Sequence, residues 1–225
     1  MYERASRSVS TFTAPKTFIR SSATLRTRKV VLSGALFVAA SVLGIVTLGT
    51  AAAAAKPGNV GNGTFALNES APLGPRTKPG IYTLRCIAAA ANGGTFRLED
   101  PDGIVLGDVA IAGGAGGTAV VGEHIRGTIT DGATDFAVGD GFDVTVGLAP
   151  KVAGLDRAKL AAAASVDGSQ EPSLVLAYDV DASAGDVEAI AYESGDFVRE
   201  QLVFGAGITA DTARESLRRR NITLG

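Results

Sequence analysis

The chain has 225 residues, which is long enough for one large or two small domains with a hydrophobic core. Apolar residues make up 46% of it, but aromatic residues only 6%, and there are 29 glycines, so the composition favours short strands and tight turns over long helices. A single cysteine, Cys86, excludes an internal disulfide framework, and together with a single histidine it excludes a zinc site built from the usual ligands.

The charge is distributed unevenly along the chain. Residues 1–29 hold seven Lys/Arg and one acid, a net charge of +6, whereas the remaining residues hold 14 basic and 22 acidic residues, a net charge of −8. A basic segment on an acidic body is typical of an arm that docks on another molecule, and the alternative is a solvated tail. The segment contains no recognisable nucleic-acid-binding module.

Residues 30–55 allow two interpretations. An apolar run that follows Arg26, Arg28 and Lys29 and ends in small residues is typical of a signal peptide or anchor helix. The preceding basic region is unusually long, however, and Ser33-Gly34 is a turn signal inside the run. The second interpretation is therefore a pair of short strands, near residues 29–32 and 42–48, joined by a loop of small residues.

Residues 57–148 have the pattern of a separate β domain. The segment Ile81–Ile87 alternates between apolar and polar positions, and so does Phe142–Val146. Asp-Gly pairs supply the turns, because glycine accepts the positive φ that tight loops require. The spacing predicts a small β-sandwich of about six or more strands.

The last third of the chain predicts more strands and one helix. Strands are expected at 174–178, 187–192 and 197–204, with a turn at Glu193–Asp196; residues 155–165 fit either a short helix or an extended connector. The best helix is Thr209–Asn221, capped either by Thr212 with Glu215 or by Thr209. Three arginines, residues 218–220, end this helix, where stabilisation of the helix dipole is favoured over an anion site.

The sequence offers no catalytic constellation. His124 stands alone, without a serine-histidine-acid arrangement or a nucleophile elbow. The acidic cluster Asp179, Asp181 and Asp186 fails the calcium-loop pattern, so turns bonded by aspartate side chains are expected instead. The glycine-rich segment Gly113–Gly117 lacks the Lys-Ser/Thr of a phosphate loop and predicts a hairpin tip. We therefore expect a protein that is not an enzyme and has no cofactor or metal.

Two blocks of the sequence resemble the lambda-type phage head decoration protein family. The first is residues 166–222, with Asp167-Gly168-Ser169-Gln170, Tyr178-Asp179-Val180-Asp181, a Ser-Gly-Asp-Phe turn and a closing helix. The second is Val30–Thr47, in which Ala40 stands where a glycine is expected. The resemblance implies a small, mainly β decoration domain with one C-terminal helix, made of residues 30–56 and 149–225 and interrupted by an inserted β-sandwich-like domain, residues 57–148.

The resemblance also implies a function. Such proteins bind the outer surface of the expanded capsid as trimers and reinforce it against internal DNA pressure, so the expected partners are the major capsid protein and further copies of this chain, with no direct nucleic acid contact and no membrane. Residues 1–29 would be the capsid-binding arm, acting by strand addition. The virion surface is the expected location, after synthesis in the host cytoplasm. The predicted contact residues of the arm are Arg4, Arg7, Phe12, Lys16, Phe18, Ile19 and Arg20.

Two questions stay open from the sequence alone. The alternative function is an exported, membrane-anchored surface or adhesion protein, which would explain the apolar run but not the resemblance of the last third. The inserted domain either enlarges the outer surface or binds host glycans or neighbouring trimers.

Overall fold

The computed structural model describes residues 17–114 and 116–225. Within them the chain is mainly β with one α-helix near the C-terminal end, so the predicted fold class is confirmed. Helix α1 spans Ala210–Arg218, after a 3-10 turn at Arg199–Gln201. The strands, in chain order, are β1 (Ile19–Leu32), β2 (Leu36–Phe37), β3 (Val42–Ile45), β4 (Leu48–Ala55), β5 (Thr64–Leu67), β6 (Gly80–Ala90), β7 (Gly93–Glu99), β8 (Val105–Ile111), β9 (Thr118–Val121), β10 (Gly127–Thr130), β11 (Gly141–Leu148), β12 (Ala158–Leu160), β13 (Pro172–Leu176), β14 (Val180–Asp181), β15 (Val187–Phe197) and β16 (Ile222–Leu224).

The two ends of the chain form one sheet, which we call the body. Its strand order is β1-β15-β13-β3-β12, and β16 pairs in parallel with the end of β15. The N–H of Val31 donates to the carbonyl of Asp156 at 2.9 Å, and Val31 bridges Arg157, so the first and last strands of this order meet. The sheet thereby closes into a small barrel. Its interior is filled by aliphatic side chains from both parts of the sequence, including Val30, Leu32, Leu43, Leu174, Leu176, Ala189 and Ala191.

A second core lies between the outside of the body sheet and helix α1. The N–H of Thr212 donates to the Thr209 hydroxyl at 3.3 Å, and the N–H of Thr209 donates to the Thr212 hydroxyl at 2.9 Å. Of the two predicted caps, Thr209 is therefore the one that begins the helix. Ala213 and Leu217, four residues apart on one face, are fully buried against the sheet.

Between the two parts of the body, the chain forms a two-sheet sandwich. A five-stranded sheet, β4-β11-β6-β7-β8, accompanies a three-stranded sheet, β5-β10-β9, around one hydrophobic core. The alternation in β6 is confirmed, because Tyr82, Leu84 and Cys86 are at most 1% exposed while Ile81 and Ile87 are 53% and 38% exposed. The alanine-rich strand β4 pairs with β11, so the sandwich takes up the chain from residue 48 onward.

The two crossings between body and sandwich lie side by side. The N–H of Ala149 donates to the carbonyl of Thr47 at 3.0 Å, and the N–H groups of Thr47 and Leu48 donate to the carbonyl of Asp167 at 2.8 and 3.0 Å. Gly168 follows with φ +100°, and a Cβ on it would lie 2.0 Å from the Thr47 hydroxyl oxygen. Only glycine fits this turn, because any side chain meets both a strained backbone and a steric collision. We call residues 47–49, 147–149 and 166–169 the joint.

The apolar run that resembles an anchor helix is extended in the structure. Residues 30–55 contribute the end of β1 and strands β2, β3 and β4, so the pair-of-strands interpretation describes it. Residues 155–165 likewise contain strand β12 and no helix. In the portions 17–114 and 116–225, no helix is long and apolar enough to cross a membrane.

Two predicted turns were wrong. Residues 193–196 lie inside β15, where Gly195 takes φ +153°. Strand β15 ends at Phe197, so the separate strand predicted at 197–204 does not form. The glycine-rich segment Gly113–Gly117 does not close a hairpin, because it connects β8 in one sheet of the sandwich to β9 in the other. The first error arises because β15 pairs with β1 and β16, and the second because the chain crosses from one sheet to the other; a local turn signal reports neither.

The end of the sandwich farthest from the joint is held together by Asp140. Its carboxylate accepts hydrogen bonds from the N–H groups of Val60 at 2.9 Å, Gly61 at 2.8 Å and Ala137 at 2.9 Å, although the residue is only 3% exposed. Burial alone would raise the pKa of this carboxyl, but the three N–H donors outweigh it and hold the pKa below its ordinary value. Asp140 thereby ties the loop before β5 to the loop before β11.

We expect Asp140→Asn to destabilise the chain by on the order of 2 kcal/mol at pH 7, because the amide NH2 would face backbone N–H donors. The lowered pKa means that the carboxylate stabilises the fold above about pH 4 and that this contribution is lost as the pH falls further. The difference in the free energy of unfolding between variant and parent should therefore be smaller at pH 3 than at pH 7. Denaturant titrations at the two pH values measure it, with Glu69→Gln, an exposed carboxyl, as the control. An equal loss at both pH values would contradict the electrostatic account.

Candidate functional site

The seven residues predicted to contact a partner fall into two groups. Four of them, Arg4, Arg7, Phe12 and Lys16, lie outside the described residues. The other three, Phe18, Ile19 and Arg20, lie at the start of β1, where the segment 1–16 joins the body. We call Phe18–Arg20 the arm root.

Phe18 is packed into the chain's own core rather than exposed to a partner. It is 5% exposed, its ring lies parallel to that of Phe197 at a centroid distance of 6.1 Å, and it meets the Tyr192 ring edge-on at 6.2 Å. The Phe18 carbonyl accepts the N–H of Val198 at 2.8 Å. Phe18 therefore anchors the beginning of the described chain in the body.

The charges of β1 are mostly engaged within the chain. Arg28 pairs with Asp156, whose pKa is held low by Lys151 and then by Arg28. The Lys29 ammonium lies 2.6 Å from the Glu188 carboxylate, and this hydrogen bond raises the pKa of Lys29. These pairs stabilise the body strand, so they offer little to a partner.

Arg20 is more loosely held, and its side chain is 59% exposed. One of its guanidinium nitrogens lies 3.8 Å from an Asp196 carboxylate oxygen. Ile19, beside it, is half-buried and pairs with Phe197. Of the three residues at the arm root, Arg20 is the one that presents a charge to the surroundings.

Strand β1 contains a large bulge that was not predicted from the sequence. Ser21 pairs with Asp196 and Arg26 with Ser194, so five steps along β1 oppose two steps along β15. The Ser194 hydroxyl donates to the carbonyl of Thr24 at 2.6 Å and holds the bulge against β15. The charged residue at the end of the bulge, Arg26, is exposed and was not among the predicted contacts. No local sequence signal marks a bulge of this size.

The single histidine lies in a hydrogen-bonded cluster of the sandwich. The Tyr82 hydroxyl accepts the N–H of Lys78 at 2.8 Å and lies 3.4 Å from Nδ1 of His124. The Lys78 ammonium lies 2.8 Å from Asp100 and 2.5 Å from Asp102, which raises the pKa of Lys78. The cluster fixes the loop before β6 to its neighbours.

Of the three carboxylates in the acidic cluster, Asp181 makes the expected turn, whereas Asp179 and Asp186 contact distant parts of the chain. The Asp181 carboxylate accepts both the N–H and the hydroxyl of Ser183, at 3.0 and 2.6 Å, and Asp179 accepts the N–H of Ala39 at 2.6 Å. Asp186 pairs with Arg157. Among residues 17–114 and 116–225, no three His, Cys, Asp or Glu side chains are placed to hold a metal ion.

The fold and the arm root together define a class of structural protein. It has a mainly β body, and its first described strand begins beside its C-terminal strand. The model of the bacteriophage lambda head decoration protein D family matches residues 8–222. The chain belongs to this family, which is structural and decorates the phage head.

The other comparisons add little to this. No curated protein matches the chain. Among solved structures, two crystal forms of Xanthomonas campestris FlgL, in space groups C2 and H3, are similar to it at 20% identity with TM-scores of 0.32. The matches cover 48% and 50% of this chain and 33% of each FlgL chain, so this chain spans about a third of their length.

We expect Phe18→Ala to destabilise the folded chain by about 3 kcal/mol or more, because it removes a buried ring from the core under α1. Phe12→Ala is the matched comparison, since a residue that serves only a partner should change stability by less than about 0.5 kcal/mol. Urea titrations followed by circular dichroism measure both. A Phe18→Ala protein as stable as the parent would show that the ring is not part of the core.

Proposed function

We propose that this chain binds the outer surface of the expanded phage head as a trimer and reinforces the shell against internal DNA pressure. Membership of the head decoration family carries this proposal, because the family places such proteins on the capsid surface. The trimer, the shell contact and the resistance to pressure are the parts that experiments must establish.

Residues 1–16 are proposed to bind the shell by adding a strand to one of its sheets. Main-chain hydrogen bonds would give affinity, and Phe12 would supply an apolar anchor. Arg4, Arg7 and Lys16 outnumber Glu3, so the segment would be steered toward an acidic surface. Phe18 holds the root of the arm in the body, which limits the space that the arm must search.

Association of three copies would multiply this contact. Three arms on one particle convert the second and third attachments into intramolecular events, which raises the overall affinity without any new contact. The body has exposed apolar side chains on and beside β2, β14 and β15 that are available to another copy. They are Leu36, Val38, Tyr178 and Ile190, which are 66, 43, 45 and 38% exposed. We propose this surface, the β2 patch, as the contact between copies.

For the inserted sandwich we propose contact with neighbouring trimers rather than with host glycans. All five of its aromatic side chains are buried, at 9% exposure or less, so none is available to stack on a sugar ring. Its exposed large hydrophobic side chains are all aliphatic: Val60, Ile81, Ile87, Ile104, Val105, Val120, Val138 and Leu148. Aliphatic surface suits contact with protein.

Deleting residues 2–16 should leave the fold intact and weaken binding to expanded heads by at least about a hundredfold, because all arms of a trimer are lost together. The cut lies before Phe18, since a longer deletion to residue 28 would also remove most of β1. Co-sedimentation with heads that lack the decoration protein measures binding, and thermal melting is the folding control. Undiminished occupancy by the truncated protein would contradict the arm proposal.

The free protein should sediment at three times the mass of one chain, and Tyr178→Glu should shift it toward monomer because a charge would be buried between copies. Val120→Glu, at a 72% exposed valine of the sandwich, is the matched control and should leave the trimer intact. Heads that carry the parent protein should retain DNA at temperatures at which bare heads release it. A monomeric parent protein, or equal DNA release, would overturn this part of the proposal.

A further inference from the structure

The bulge in β1 opens a groove of about 660 Å³ on the body. One wall is the bulge itself, Ala23–Arg26, with Arg28 beyond it. The facing wall is formed by Ser173 and Leu174 of β13, by Glu193 and Ser194 of β15, and by Arg220 and Asn221 after helix α1. The groove exists because β1 leaves β15 between Ser21 and Arg26 and returns to it afterwards.

Three arginines and one carboxylate line this groove, so its wall carries a net positive charge. Arg28 is engaged by Asp156, but Arg26 and Arg220 form no ion pair with any residue in the described ranges. The arginine triplet that ends α1 thus divides into separate roles. Arg218 pairs with Glu215 at 2.7 Å, Arg219 caps the helix, and Arg220 faces the groove.

The chemistry of the groove suits carboxylate groups. A guanidinium presents a planar fork of donors that binds a carboxylate through two hydrogen bonds. The two arginines without ion pairs stand on opposite walls, and the side-chain amide of Asn221 adds a further donor group. A groove of about 660 Å³ with an arginine on either side has room for an extended segment that carries Asp or Glu.

The chain's own residues 1–16 are a poor occupant for this groove, because their net charge is positive. The position of the groove indicates that a partner molecule occupies it instead. Lys16 and Ala23 are seven positions apart in the sequence, so the end of the arm and the groove lie within about 25 Å of each other. A surface that receives the arm will also extend over the groove.

We propose that the groove binds an acidic segment of the shell protein and is a second attachment point beside the arm. This inference rests on the proposed function, since it takes the shell as the partner. It assigns to Arg26 and Arg220 the specificity for a carboxylate-bearing segment. The arm would supply strand pairing, and the groove would fix the orientation of the body on the shell.

The test is the double variant Arg26→Glu/Arg220→Glu in the full-length chain, measured by co-sedimentation with expanded heads at several salt concentrations. We expect at least about a tenfold loss of affinity and a weaker dependence on salt, because two charge-assisted contacts become repulsive. Both arginines are exposed, so thermal melting should stay unchanged. Arg26→Lys/Arg220→Lys keeps the charge without the planar fork and should recover only part of the affinity.

The matched control is Arg76→Glu/Arg126→Glu, which makes the same change of net charge on the sandwich. Equal binding by the groove variant and the parent would overturn the groove, and so would an equal loss in both double variants, which would show an effect of net charge alone. A groove variant that changes the oligomeric state of the free protein would assign the groove to a second copy of this chain. Failure of the parent protein itself to bind heads would instead overturn the proposed function.

Discussion

The packing of Phe197 against two other aromatic rings, which also contact each other, is the interaction on which the body depends. Phe18 lies against one side of it, and Tyr192 approaches it at 5.6 Å from the same strand. Strand β16 pairs with β15 at this point, and the N–H of Gly225 donates to the Phe197 carbonyl at 3.1 Å. The beginning and the end of the described chain are therefore fixed at one position, under the only helix of the described residues. Loss of this cluster would release the arm root and the C-terminal strand together.

Sequence patterns correctly predicted the features of this fold that depend on contacts between residues close together in the chain. The alternation in Ile81–Ile87 showed correctly which side chains enter the core, because a strand in a two-sheet sandwich exposes one face. Likewise, Thr209, one of the two caps that the sequence left open, begins the helix through a contact with Thr212, three residues away. The resemblance of two separated blocks gave the family, although about half of the chain, residues 48–165, lies between them.

Long-range pairing decided the parts that the sequence did not show. Gly195 looks like a turn residue, yet β1 and β16 pair on either side of it and keep the strand extended. Phe18 looks like an arm anchor because it follows a basic segment, but its neighbours Tyr192 and Phe197 lie more than 170 residues away. The groove depends on a bulge and on an arginine from the far end of the chain, so only the folded chain brings its walls together.

The joint has a consequence for how such a chain tolerates change. The sandwich enters after Thr47 and leaves before Ala149, and these two residues are hydrogen-bonded to each other. An inserted domain whose N- and C-terminal ends lie close together can connect Thr47 to Ala149 at little cost in chain entropy. The reason is that strands β3 and β12 of the body are already paired with each other. The joint is therefore a suitable insertion site. Different domains can be exchanged there, or displayed in many copies on a phage head, while the sheet of the barrel stays unchanged.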